Sequence, residues 1–396
     1  MVLFALLLLC SSCCAAVALA GPPPRRLGLP RVVYSERRPN ITIVLGMAQH
    51  NGTVYAAFGS WHTPLPQSSW ASYVAPVAGA LAGGSPPDTG GHDGHETVGE
   101  DIVATPRGVA FAFEASADER SGGPALFGHG LARVGGRVGN GTRWWQGISY
   151  DGRSDTVVAA AARRFSSPLR SDVFLSRDGG VSYERVGDSG AGIPVHQLGL
   201  TAPQTAGVHL VFRTGYATAG TPALVVVNAS STRVGVRALG YSGLPSGVHG
   251  ASTAAEIAGV DRLLVGSYSK SIPWRGGGAA SIGRMDWRSA HTSGWLPLNG
   301  SDVTAILDLG GCTAAALVED GGDSLGGGGG GSGGGGNALY VLDASGTSTV
   351  RVLQRIALPG TQTGGLALLG DTLFASASGG PTKPGNAHVY AMAFAE

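Results

Sequence analysis

A unit of roughly fifty residues recurs seven times along this chain, each copy carrying a turn signal followed by a short apolar strand. The strand reads GTVYAAF at 52–58, GVAFAF at 108–113, DTVVAAA at 155–161 and GVHLVF at 207–212. It returns as DRLLVGS at 261–267, CTAAALV at 312–318 and DTLFASA at 371–377. Anchored on Val54, Val109, Val157, Val208, Leu263, Ala314 and Leu373, the copies lie 55, 48, 51, 55, 51 and 59 residues apart. One such unit cannot bury both faces of its own sheet, so a period of this length built from strands predicts a β-propeller.

Alternating or continuous apolar runs bounded by Gly, Pro, Asn and Asp fill the chain, and helical periodicity is nearly absent. A third strand is legible in PALVVVN at 222–228, NALYVLD at 337–343 and NAHVYAM at 386–392. The last unit stops at Glu396 after its third strand, while an unclaimed apolar stretch, Pro30 to Ser35, precedes the first unit. The expected fold is therefore all-β. It is a seven-bladed propeller of four-stranded antiparallel blades over 30–396, closed by residues 30–35 pairing beside 386–394, which removes an exposed edge.

Residues 1–20 combine an apolar run with Ala18-Leu19-Ala20 before Gly21 and read as a secretory signal peptide, followed by a tail at 21–29. The amino end lacks the usual positive charge, so an uncleaved anchor is the alternative. The run from Val2 to Leu9 is too short to span a bilayer. Five of the seven asparagines, Asn40, Asn51, Asn140, Asn228 and Asn299, stand in N-x-S/T sequons, as expected of a secreted glycoprotein. Cys10, Cys13 and Cys14 leave with the leader, so Cys312 has no partner for an intrachain disulfide and reads as a small core residue. A formal net charge of +1 with 13% charged residues offers no basic face for nucleic acid. The glycine-rich stretch 321–336 reads as a flexible surface loop.

Strand alternation puts the loops between second and third strands, and those between blades, at one end of the ring. That end receives Trp61, His62 and Trp70, then Tyr268, Trp274 and Arg275, which form a candidate aromatic platform with a polar partner for sugar or peptide. His92, His95 and Glu96 fall in an interblade loop and are candidate metal ligands. The opposite end receives mostly tight turns. Long loops on a rigid scaffold are where binding residues concentrate.

The segment SRDGGVSY at 176–183 resembles the Asp-box hairpin of sialidases and related propellers, with Ser176, Asp178, Gly180, Ser182 and Tyr183 in its positions. The resemblance implies a structural role: Asp178 holds the turn through backbone amides and Gly180 supplies an unusual dihedral. Arg37-Arg38-Pro39 is similar to the sialidase R-I-P motif, except at its middle residue. Carried over, Arg37 would be one arginine of a carboxylate clamp. The other clamp arginines and the catalytic carboxylates have no counterpart that the sequence identifies.

The sequence thus predicts a secreted, N-glycosylated binding module without a cofactor. It is expected as a monomer that takes a glycan or protein on the long-loop face. A sialidase-type glycoside hydrolase, or another enzyme on the same propeller scaffold, is the alternative, since fold alone does not set activity.

Overall fold

The computed structural model describes residues 26–38, 41, 43–59, 72–80, 97–115, 123–128, 133–135, 143–163, 170–191, 193–194, 200–201, 205–214, 222–230, 234–268, 280–319, 337–360, 362–378 and 387–395. A single strand, β1 (Arg31–Ser35), precedes blade 1, which holds β2 (Ile43–His50), β3 (Thr53–Gly59) and β4 (Ser72–Gly79). Blade 2 holds β5 (Thr97–Thr105), β6 (Gly108–Ala115), β7 (Gly123–Phe127) and β8 (Arg133–Gly135). Blade 3 holds β9 (Arg143–Asp151), β10 (Thr156–Arg163), β11 (Arg170–Ser176) and β12 (Glu184–Ala191). In blade 4 the innermost strand is broken into β13 (Ile193–Pro194) and β14 (Leu200–Thr201), followed by β15 (Val208–Thr214), β16 (Ala223–Asn228) and β17 (Gly235–Gly240). Blade 5 holds β18 (Gly250–Ala255), β19 (Leu263–Tyr268), β20 (Ser281–Asp286) and β21 (His291–Pro297). Blade 6 holds β22 (Asp302–Gly310), β23 (Thr313–Glu319), β24 (Ala338–Asp343) and β25 (Arg351–Ala357), and blade 7 holds β26 (Gln362–Leu369), β27 (Thr372–Ser378) and β28 (Ala387–Ala393). All seven repeat anchors lie in the second strand of a blade, so the fold is the expected seven-bladed β-propeller.

The continuous apolar runs have a simple cause. A second strand is covered by a neighbouring blade on each of its faces, so β3 and β23 are buried at every residue. An outer strand such as β17 is covered far less. Alternate residues of β3 then serve opposite junctions. Val54, Ala56 and Phe58 pack with Phe374 and Val389 of blade 7, whereas Tyr55 and Ala57 pack with Val109 and Phe111 of blade 2. The core is consequently seven apolar slabs, one at each junction between blades.

Ring closure follows the expected pairing: β1 lies antiparallel to β28, with Arg31 opposite Ala391, Val32 opposite Tyr390 and Ser35 opposite His388. Pairing also extends upstream of β1. The Gly28 amide donates to Ala393 O at 2.8 Å and the Ala395 amide to Arg26 O at 2.7 Å. Leu27, only 4% exposed, exchanges two hydrogen bonds with the Gln354 side chain of blade 6, at 2.9 and 2.8 Å. The closing segment therefore fastens two blades.

Six innermost strands carry a β-bulge near their loop end, at Leu45, Glu100, Gln146, Ser252, Thr304 and the pair Gly364-Gly365. The extra residue lets each strand lean on its neighbour across the narrow axis. Ser252 Oγ donates to Val303 O at 2.6 Å, Thr304 Oγ1 meets Thr363 Oγ1 at 2.6 Å, and the Ile148 amide donates to Asp101 Oδ2 at 3.3 Å. Gly364 and Gly365 lie against the backbone of Val44 to Met47, where a Cβ would clash.

Candidate functional site

Antiparallel order sends all seven connections between second and third strands, 60–71, 116–122, 164–169, 215–222, 269–280, 320–337 and 379–386, out of the same end of the ring. Apart from Pro222, Ala280 and Asn337, these connections lie outside the described residues, and with them Trp61, His62, Trp70, Trp274 and Arg275. Tyr268 closes β19 opposite Gly250, and only its backbone is described. His92, His95 and Glu96, as well as Asn40 and Asn140, also lie outside the described residues. Among the described residues no group of three or more His, Cys, Asp or Glu could hold a metal ion.

Arg37 lies between β1 and β2 with its side chain exposed. Its backbone is fixed by the buried Glu36, whose Oε1 accepts from the Arg37 and Arg38 amides at 2.9 and 2.7 Å. The Arg38 guanidinium lies 4.1 Å over the Tyr73 ring, which joins the closing segment to blade 1.

The 176–183 hairpin links β11 to β12 at the end away from the long loops. Asp178 Oδ1 accepts from the Val181 and Ser182 amides at 3.1 and 3.0 Å, and Asp178 Oδ2 accepts from Ser182 Oγ at 2.6 Å. Ser176 Oγ donates to Asp178 Oδ1 at 2.6 Å and accepts from the Gly180 amide at 2.8 Å. Burial pushes the Asp178 carboxyl up, but hydrogen bonds from Ser176, Ser182 and two amides outweigh it and hold the group below its usual range. Gly179 and Gly180 take φ of 68° and 96°, where a side chain is strained. Val181 presses on Gly135 of blade 2, so the hairpin braces a junction.

A second buried polar node joins blades 3 and 4, and the sequence gives no sign of it beyond a polar residue inside an apolar strand. His209 of β15 is 0% exposed, with Nδ1 at 2.7 Å from Ser149 Oγ and Nε2 at 2.9 Å from Thr156 Oγ1. Burial pulls its pKa down to about 4, although the charge of Asp151 pulls the other way. Asp151 Oδ2 accepts from Ser154 Oγ and from the Gly207 amide of blade 4, each at 2.6 Å.

A polar cleft of about 380 Å³ opens at the turn end between blades 4 and 5. Thr205, Glu256, Asp261, Arg262, Trp287 and Arg288 supply its polar and aromatic lining. Of the sequons described, Asn51, Asn228 and Asn299 are all exposed. Cys312 is a free thiol in the turn between β22 and β23, with φ of 61°, and is not the strand residue the sequence suggests. Among the described residues no helix is long and apolar enough to cross a membrane.

The fold defines the class as a seven-bladed β-propeller. No family model matches the chain, and no curated protein matches it by sequence. Solved structures do. The RRP9 WD40 repeats superpose with TM-score 0.56 at 10% identity, covering 93% of this chain and 100% of that one. A chain of a mitotic checkpoint complex gives 0.55 at 12% identity, covering 93% and 94%. An oligogalacturonate lyase in complex with manganese gives 0.50 at 11% identity, covering 94% and 98%. These likenesses show the fold. They include an enzyme as well as WD40 repeats, so activity must be argued from sites.

Proposed function

We propose that this protein is a secreted, N-glycosylated interaction module that holds a protein or glycan ligand on its long-loop face. The observation that carries the reading is the asymmetry of the ring's two ends. Seven connections of six to eighteen residues leave one end, while the first-to-second-strand turns at the other take two residues in blades 1, 2, 6 and 7 and four to seven in blades 3, 4 and 5. The rim below those loops is stiffened by the bulge contacts, which suits a scaffold that presents loops at low ordering cost. The loops carry Trp61, Trp70, Trp274 and Arg275, residue types that dominate binding hot spots.

A sialidase-type hydrolase is the second reading, favoured by the Asp178 hairpin and by Arg37 at the loop end of the closing segment. A glycan array run beside a fluorogenic glycoside panel separates the two. A retained ligand without turnover supports the module; turnover of a sialoside supports the hydrolase.

A further inference from the structure

Connections between first and second strands at the turn end differ in length: two residues in blades 1, 2, 6 and 7, four in blade 3, six in blade 4 and seven, 256–262, in blade 5. That connection is nevertheless held in place. Ile257 is fully buried in the slab between blades 5 and 6, the Ala258 amide donates to Asp308 Oδ2 at 3.2 Å, and the Cys312 amide donates to Ala258 O at 3.3 Å. A further bond from the Val260 amide to Ile257 O, 3.0 Å, tightens the turn, and Gly259 takes φ of 84°. The long connection forms one wall of the cleft, and the Trp287–Arg288 turn forms another.

Charges of both signs line this cleft. Glu256 lies 4.0 Å from Arg153, the outer limit of an ion pair. Asp261 is exposed on the same connection. Arg262 Nη1 donates to Ser293 Oγ at 3.1 Å, and the Arg288 guanidinium lies 4.6 Å over the Trp287 ring. The nearby Asp286 carboxylate is already engaged by Ser289 Oγ at 2.8 Å and by the Arg288 amide at 3.1 Å. Two guanidiniums therefore face the cleft with donors suited to a carboxylate, beside two carboxylates suited to an ammonium or guanidinium.

This pattern selects a ligand class. A simple anion drawn to Arg262 and Arg288 meets Glu256 and Asp261, and a simple cation meets the reverse, so each single-sign ligand carries a built-in repulsion. A chain segment with alternating charges matches both pairs, and Trp287 offers its aliphatic stems an apolar platform. We propose that the blade 4–5 cleft is a recognition site for a peptide segment of another protein in which carboxylate and cationic side chains alternate. The site lies at the end opposite the long loops and does not depend on the reading given for them.

The test is fluorescence anisotropy on the full secreted protein, with labelled peptides made of Lys-Asp, Ser-Asp or Ser-Lys repeats. The expected result is that the Lys-Asp peptide binds roughly tenfold tighter than either single-sign peptide, and weakens as salt is raised. Arg262→Ala/Arg288→Ala should weaken it by roughly tenfold with an unchanged melting curve, because both side chains are exposed. Glu256→Gln should lower the preference over the Ser-Asp peptide, and Trp274→Ala, at the other end of the ring, should leave the affinity for the Lys-Asp peptide unchanged. No binding at millimolar peptide, equal binding of a single-sign peptide, or binding unchanged in the double arginine variant would each overturn the proposal. Loss in Trp274→Ala alone would do so as well, by moving the site to the loop face.

Discussion

His209 of blade 4 is wired to Asp151 of blade 3 through two hydroxyls: Nε2 to Thr156 Oγ1 at 2.9 Å, Thr156 Oγ1 to Ser154 Oγ at 2.6 Å, and Ser154 Oγ to Asp151 Oδ2 at 2.6 Å. The carboxylate can only accept, which orients the chain. Ser154 donates to Asp151, Thr156 donates to Ser154, and Nε2–H donates to Thr156, leaving Nδ1 to accept from Ser149. The neutral ring with its proton on Nε2 satisfies every partner, and a second proton on Nδ1 would turn the Ser149 hydroxyl away.

Stability should therefore fall with mild acid. The folded pKa of about 4 lies below the ordinary 6.5, so the unfolded chain binds the extra proton first. The contribution is fully present above pH 6.5 and is lost as pH falls toward 4, amounting to about 3 kcal/mol at the lower limit. Urea midpoints measured between pH 7 and 4 should show this slope, and His209→Gln should flatten it. An equal slope in the variant would remove His209 as its source.

The glycine pair at the axis should be intolerant of a single methyl. Gly364→Ala places a Cβ into the Val44 carbonyl of blade 1, and the shift needed should cost about 3 kcal/mol or more. Gly240→Ala, at an open position on an outer strand, should change stability by no more than about 0.5 kcal/mol. Thermal melts of the two variants compare them directly.

In the 176–183 hairpin, Asp178→Ala removes an acceptor from two amides and two hydroxyls. A loss of roughly 1–2 kcal/mol in denaturant midpoint is expected, with ligand binding retained. Unchanged stability would show that water replaces the carboxylate at no cost.

The closing segment should be essential. Deleting residues through Ser35 exposes the full edge of β28 and frees the Gln354 side chain, so the truncated chain should melt lower and associate. Chromatography with light scattering reads both effects.

How much of this was legible depended on how local the signal was. Val54, Val109 and the other anchors could be read because a strand buried on both faces needs an unbroken apolar run, which is a property of neighbouring residues. The β1 pairing was legible because residues 30–35 formed an apolar strand with no place in the first unit. The His209 node was not, since Ser149, Thr156 and His209 meet only through packing between blades, across 60 and 53 positions of chain. The bulges at Ser252 and Thr304 shift the alternation by one residue, so that Ala251 and Ala254 share one junction and Val303 and Ile306 another, but in strands that are apolar on both faces this slip leaves no clear sequence mark. The blade 5 cleft was missed because its connection, Glu256 to Arg262, looks like an ordinary polar turn.

Glycan occupancy is open to direct measurement. Asn51, Asn228 and Asn299 are exposed, and treatment of the natively expressed protein with peptide-N-glycosidase should increase its mobility. Unchanged mobility would contradict the proposed modification.

The central claim is that ligand is held at the long-loop end, and the most direct measurement takes the first ligand retained on the array to a titration of three variants. Trp61→Ala and Trp274→Ala should each weaken binding by about 1–3 kcal/mol, and Asp178→Ala, at the opposite end, should leave affinity unchanged. Binding lost in a folded Asp178→Ala protein and kept in both tryptophan variants would place the ligand at the turn end and contradict the account.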